Sequence, residues 1–304
     1  MKLIFYSLRI LGACLALTVT GGRAEVVFEA TSPYHHIRVL DEDGMRMLSF
    51  DGTRETRMSL NDPLQGHFEY TEYFHMPWLW NTQLTQVLMI GLGGASAQRS
   101  FQHYYPQVEV ETAELDPLVV HVAREHFNYK LSATHRVRVE DGRVHLRRSS
   151  TSYDAILVDA YVKGRYGSSI PYHLATKEFF DLANQRLATN GVLAYNVIGT
   201  LNGWQADILG SLYKTLKAVF PQVYLFPAST SQNVVLIAVK SDQRPNAASL
   251  RQRADALVQS GRIKLPTFRT RLQALRLEPP ASFKQSKVLT DDFAPVDGML
   301  TEGR

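Results

Sequence analysis

From Thr85 onward, short apolar runs alternate with stretches of helical spacing. Val87-Leu88-Met89-Ile90 and Ala155-Ile156-Leu157-Val158 are apolar without interruption, as strands covered on both faces must be. Strands are expected near 86–90, 109–114, 136–140, 154–158, 191–197, 222–226 and 233–239, and helices near 96–104, 117–127, 174–188, 203–219 and 247–259. This alternation predicts a parallel sheet with crossover helices. Pro117 suits a first helical turn, and Asn190-Gly191 is expected to close the helix before the fifth strand. A short polar loop at Ser229 to Gln232 lies between the last two strands, too little for a crossover helix, so these should pair antiparallel.

Upstream the period falls to two. Residues 34–40 and 45–50 alternate on either side of Asp43-Gly44, a hairpin signal, and Asp51-Gly52 offers a second turn. Residues 25–66 therefore read as a small antiparallel β unit. The aromatic stretch from Phe68 to Trp80 is expected to be helical as far as Pro77. The fold class is α/β: a mostly parallel sheet with an antiparallel last strand, preceded by a small N-terminal β-hairpin domain. The expected divisions are a leader at 1–24, the β unit and linking helix at 25–80, a nucleoside-binding domain at 81–240 and a polar extension at 241–304.

Length and composition add little: 304 residues with 45% hydrophobic content are enough for a large globular core. The net charge of +4 loses its meaning once Lys2, Arg9 and Arg23 are set aside, because the rest balances 30 basic against 29 acidic residues. No basic stripe suggests nucleic acid as a partner. The first residues read as an export signal, with a basic start to Arg9, an apolar run from Ile10 to Thr20 and a small-x-small site at Gly22-Arg23-Ala24. Cleavage after Ala24 is expected, giving a periplasmic or secreted protein. The alternatives are an uncleaved N-terminal anchor as the one membrane contact, or a cytoplasmic protein if the start codon is misassigned. Cys14 follows Leu11-Gly12-Ala13 as in a lipoprotein box, but the apolar run continues past it. It is the sole cysteine, so the cleaved chain has no disulfide, thiolate catalyst or cysteine–zinc site.

Candidate chemistry gathers at the ends of four expected strands, where open α/β sheets bind ligands. Gly91-Leu92-Gly93-Gly94-Ala95-Ser96 follows the first and opens a helix. The glycines admit a ligand close to the backbone, and the absence of a sixth-position glycine suits a nucleoside without a pyrophosphate, such as S-adenosylmethionine. Glu114, about 20 residues on, is placed to receive ribose hydroxyls. Asp116, ahead of Pro117, reads first as a helix N-cap. Glu140-Asp141-Gly142 could offer a carboxylate to an exocyclic adenine amine. Asp159, ending the apolar run 154–158, could bind or deprotonate an amine nucleophile. Tyr161 stands beside it. The histidines, among them His35 and His173, have no metal-ligand spacing, so no metal is expected and they read as structural.

Residues from about 32 to 240 resemble the spermidine synthase family of polyamine aminopropyltransferases, in a divergent bacterial branch. Ser32-Pro33-Tyr34-His35-His36-Ile37-Arg38-Val39 resembles S-x-Y-Q-x-I-x-V, and Leu48-Ser49-Phe50-Asp51-Gly52 resembles L-x-L-D-G. Tyr70-Thr71-Glu72 stands at Y-H-E, Glu114-Leu115-Asp116 at E-I-D and Asp141-Gly142 at G-D-G. Asp159 stands at the first Asp of D-S-S-D-P, and Ile170 to Phe180 resembles the segment that closes that loop. The resemblance implies a methyltransferase-like fold and aminopropyl transfer from decarboxylated S-adenosylmethionine to a small-molecule amine. It implies nucleoside contacts at Gly91, Gly93, Glu114, Asp141 and Gly142, a catalytic Asp159 and substrate contacts at Tyr70, Tyr161 and His35. It also implies a homo-dimer. Three positions depart: Gly94 stands where the family has the Asp that meets the donor's amino end, Val162 where it has the second Asp of D-S-S-D-P, and His35 where it has Gln. Methyl transfer from S-adenosylmethionine and a non-catalytic exported binding protein are the rival readings.

Overall fold

The computed structural model describes residues 24–164, 167–203 and 206–300, so the expected leader, apart from Ala24, lies outside the described residues. Four strands form an antiparallel sheet in chain order: β1 (Glu25–Thr31), β2 (His36–Glu42), β3 (Met45–Phe50) and β4 (Thr53–Ser59). Asp43-Gly44 and Asp51-Gly52 each join two strands with both residues at positive φ, as a two-residue hairpin turn with the strands' own twist requires. The β3–β4 register slips once. Leu48 pairs with Thr56 and Ser49 with Arg54, which leaves Glu55 as a bulged residue with no partner opposite.

Glu69–Leu79 is a buried 3-10 segment that runs through Pro77, past the point where a helix was expected to stop. It is held by burial of Tyr73, Phe74 and Trp78 rather than by an unbroken ladder, so the missing N–H of Pro77 does not end it.

The main body comprises β5 (Gln86–Ile90), α1 (Ser96–Tyr104), β6 (Glu109–Glu114), α2 (Pro117–His126), β7 (His135–Val139), α3 (Gly142–Arg148) and β8 (Tyr153–Val158). A small hairpin follows, β9 (Val162–Gly164) with β10 (Gly167–Ser169). Then come α4 (Lys177–Arg186), β11 (Leu187–Ile198), α5 (Ala206–Lys217), β12 (Gln222–Pro227), β13 (Asn233–Val239), α6 (Ala247–Gln259) and α7 (Phe268–Leu272). The seven-stranded sheet has the order β12-β13-β11-β8-β5-β6-β7, and β13 runs antiparallel between β12 and β11. Val87 and Met89 face a layer that includes Phe74, Phe101, Leu250 and Phe268, while Leu88 and Ile90 face Leu146, Phe179, Leu212 and Leu289. The N-terminal sheet packs Ile37, Val39, Leu48 and Met58 onto Val119, Val122 and Phe127 at α2.

Two expectations about helices are corrected. Asn190-Gly191 caps no helix: α4 ends at Arg186 and both residues lie within β11. The pairing of β11 with β8 slips between Leu187 and Val192, and a Cβ on Gly191 would lie 2.7 Å from Leu187 Cβ. The glycine serves that tight local fold. The short α3 was not expected, and the helix expected over 203–219 is described from Ala206 to Lys217.

The segment after residue 240 is part of the main core through Leu250, Leu257, Ile263, Phe268 and Leu272. Arg271 reaches back to Glu69 and Glu72, and Asp291 takes a two-pronged contact from Arg143, each prong 2.7 Å, plus the Thr176 hydroxyl. Among the described residues no helix is long and apolar enough to cross a membrane.

Candidate active site

The chain runs from β5 outward through β6 to β7, then returns to place β8 on the other side of β5. Ligands of open α/β sheets bind at the carboxyl ends of strands beside such a reversal. Here a cavity of about 350 Å³ opens there, roofed by the N-terminal sheet. Gly91, Gly93, Glu114, Asp141, Gly142, Asp159, Tyr70, Tyr161 and His35 all line it.

Gly91 turns the chain at φ +93°, and a Cβ there would sit 2.1 Å from the carbonyl oxygen of Asp159. Only glycine lets β5 and β8 end side by side. Gln98, on α1, donates to the Gly91 carbonyl at 3.0 Å. Glu114 spans the loop: Leu92 N–H donates to one carboxylate oxygen at 2.8 Å and Asp116 N–H to the other at 2.9 Å. Burial pushes the Glu114 carboxyl up to about 7, against the pull of those two N–H groups.

Asp116 caps α2 through Leu118 N–H and accepts the Ser32 hydroxyl, which ties the N-terminal sheet to the site. Asp141 caps α3 through Val144 N–H and also pairs with His173 Nε2 at 2.7 Å. Burial opposes its ionisation, but His173 and Val144 outweigh that and hold it below the usual carboxylate range. Its neighbour Glu140 turns to His145 and Arg148 instead, so one carboxylate of that pair belongs to the cavity. His173, read from sequence as structural, lines the cavity through its bond to Asp141. The pairing could not be seen in the sequence because it joins residues 32 positions apart.

Asp159 receives Asn196 Nδ2 at 2.8 Å on one oxygen and the Tyr70 hydroxyl at 3.2 Å on the other. Burial raises its carboxyl to about 6, with both hydrogen bonds pulling the other way. Asn196 is itself fixed by Asn233 at 3.1 Å. It was missed in the sequence, although it stands near the end of an apolar strand as Asp159 does. Tyr161 is turned away from solvent, its hydroxyl donating to Asn196 O and accepting from Ile198 N–H.

His35 stacks on Phe50 at 4.5 Å between centroids, and its Nδ1 lies 3.2 Å from Asp51, which Lys163 also approaches at 3.3 Å. Glu55 and Thr56, on β4, were not singled out by sequence, yet both line the cavity. The Ser168 hydroxyl donates to Glu55 at 2.7 Å, and Gly94 N–H donates to Thr56 at 2.9 Å. The site thus joins a nucleoside-sized crevice to a wall of carboxylates, a combination suited to a cationic nucleoside and an amine.

The family model described as the spermine/spermidine synthase domain matches residues 67–247. A polyamine aminopropyltransferase of Vibrio vulnificus (strain CMCP6) is 30% identical over 289 residues, covering 91% of this chain and 92% of that protein. Another, from Chromobacterium violaceum, is 31% identical over 228 residues, covering 73% of this chain and 83% of its own. The crystal structure of a probable spermidine synthase from Corynebacterium glutamicum ATCC 13032 shares the fold, with a TM-score of 0.66 at 18% identity, over 88% of this chain and 97% of that one.

Proposed function

This chain belongs to the spermine/spermidine synthase family, and from that premise we propose that it is a polyamine aminopropyltransferase that uses decarboxylated S-adenosylmethionine as donor. Glu114 takes the ribose hydroxyls, Asp141 the adenine amine, and the backbone at Gly91, Gly93 and Gly142 lies along the nucleoside. Tyr70, Tyr161 and His35 wall the acceptor side. An acceptor amine attacks the aminopropyl carbon next to the sulfonium. The new C–N bond forms as the C–S bond breaks, the electron pair goes to sulfur and methylthioadenosine leaves. Asp159 orients the amine and takes its proton. The thioether is a good leaving group, so alignment in a water-poor crevice supplies most of the acceleration.

The observation that carries this reading is Asp159 at the tip of β8, held by two neutral donors and beside the Gly91 turn. A carboxylate so placed keeps its acceptor capacity for an incoming amine, since no cation neutralises it.

Calorimetric titration of the purified chain with S-adenosylmethionine, decarboxylated S-adenosylmethionine and methylthioadenosine tests the proposal, together with identification of the nucleoside released in turnover. Preference for the decarboxylated donor and release of methylthioadenosine are expected. Preference for S-adenosylmethionine with release of S-adenosylhomocysteine would mean methyl transfer, and binding of none of the three would leave a non-catalytic protein. The leader-like residues 1–24 add a proposal about place: the enzyme is exported and cleaved after Ala24.

A further inference from the structure

Aminopropyl transfer, on which this inference rests, brings a donor with two positive charges, the sulfonium and the primary ammonium at the end of its aminopropyl chain. The ammonium needs a carboxylate, because a buried charge without a partner costs several kcal/mol, to order of magnitude. The glycine loop cannot supply one. Gly94 has no side chain, and a Cβ there would meet Thr56 Cγ2 at 2.6 Å and Phe127 Cδ1 at 3.0 Å.

The other acids of the cavity each accept two hydrogen bonds already, and in the proposed function Glu114, Asp141 and Asp159 serve the ribose, the adenine and the acceptor amine, with Asp116 at the start of α2. Glu114 accepts two backbone N–H groups, Asp116 accepts Ser32 and Leu118, Asp141 accepts His173 and Val144, and Asp159 accepts Tyr70 and Asn196. Glu55 differs. Among the described residues it receives one hydrogen bond, from the neutral Ser168 hydroxyl, and no cation pairs with it.

The fold presents it deliberately. Neighbouring strand residues point to opposite faces, yet Glu55 and Thr56 both line the cavity. The bulge in β4 makes this possible: it adds Glu55 to the strand without a partner and re-aims its side chain. Thr56 then fills the space above Gly94 while Glu55 also lines the cavity. We infer that Glu55 is the specificity residue for the donor, its carboxylate receiving the primary ammonium of the aminopropyl group. Ser168, on β10, orients that carboxylate through its hydroxyl.

Glu55→Gln keeps the shape and removes the charge. Calorimetry on the full chain should show affinity for decarboxylated S-adenosylmethionine falling about tenfold or more, the usual effect of losing a charge-assisted hydrogen bond. Methylthioadenosine lacks the ammonium, so its affinity should stay within about twofold, and its binding also reports that the variant is folded. Where Glu55→Gln does not fold, Glu55→Asp retains charge with a shorter reach and should lose donor affinity selectively but less. Equal loss for both nucleosides, or no loss for either, overturns the role of Glu55. If the unsubstituted chain itself favours S-adenosylmethionine over the decarboxylated donor, the reading beneath it fails instead.

Discussion

Asp159 concentrates the residue-scale argument. Burial raises its carboxyl to about 6, so it is protonated in mild acid and ionised at neutrality. A base must be ionised to take a proton. Turnover at low substrate should therefore climb as pH rises through about 6 and level off above it, a limb visible in the pH dependence of kcat/KM. Asp159→Asn should lower kcat by about a hundredfold or more and abolish that limb, while methylthioadenosine affinity stays close to that of the unsubstituted chain. Retained turnover would remove Asp159 from the chemistry. The legibility of such residues follows from their surroundings. Asp159 stands out in sequence because it closes an apolar run, and Glu114 because it ends a strand about 20 residues beyond the glycine loop. Glu55 is invisible there, since Arg54 and Arg57 flank it and the stretch reads as a solvent face. Its exposure to the cavity depends on a register slip that no local pattern encodes.

At the scale of elements, strands covered on both faces were readable from their unbroken apolar runs, and the two hairpin turns from Asp-Gly pairs. The helix α3 was not, because Arg143, His145, Arg147 and Arg148 crowd seven residues and leave no apolar stripe. The 3-10 segment and α7 depend on each other. Glu72 is buried, which alone would raise its carboxyl, but His67, Arg271 and Thr267 reverse that and bring it to about 2. Its folded-state value lies below its ordinary value of 4.5. Its share of stability is therefore complete above that ordinary value and drains as pH falls through about 2. Arg271→Met leaves Glu69 and Glu72 without their cation. Denaturant unfolding at neutral pH should show a loss of about 3 kcal/mol, and acid unfolding should begin at a higher pH than in the unsubstituted chain. An unchanged midpoint would mean that apolar contacts of α6 and α7 alone hold the segment.

For the whole molecule, the site exists only where two sheets meet: the parallel sheet supplies Gly91, Glu114, Asp141 and Asp159, and the N-terminal sheet supplies His35, Glu55 and Thr56. β1 starts at Glu25, directly after the proposed cleavage point, so processing there leaves all four strands of that sheet intact. N-terminal sequencing of the protein from a periplasmic fraction should read from Glu25, and a chain starting at Met1 in the cytoplasm would refute export. The strand order carries a consequence for biosynthesis. The partner of β11 on its outer side is β13, which is made after β12. A ribosome that has released only the first two hundred residues exposes β11 as a bare edge lined by Leu193, Tyr195 and Val197, a ready template for pairing with another nascent chain. Closure of that edge waits for residues 233–239, so the sheet is completed late in synthesis. The architecture therefore cannot finish folding early, which suits the proposed export.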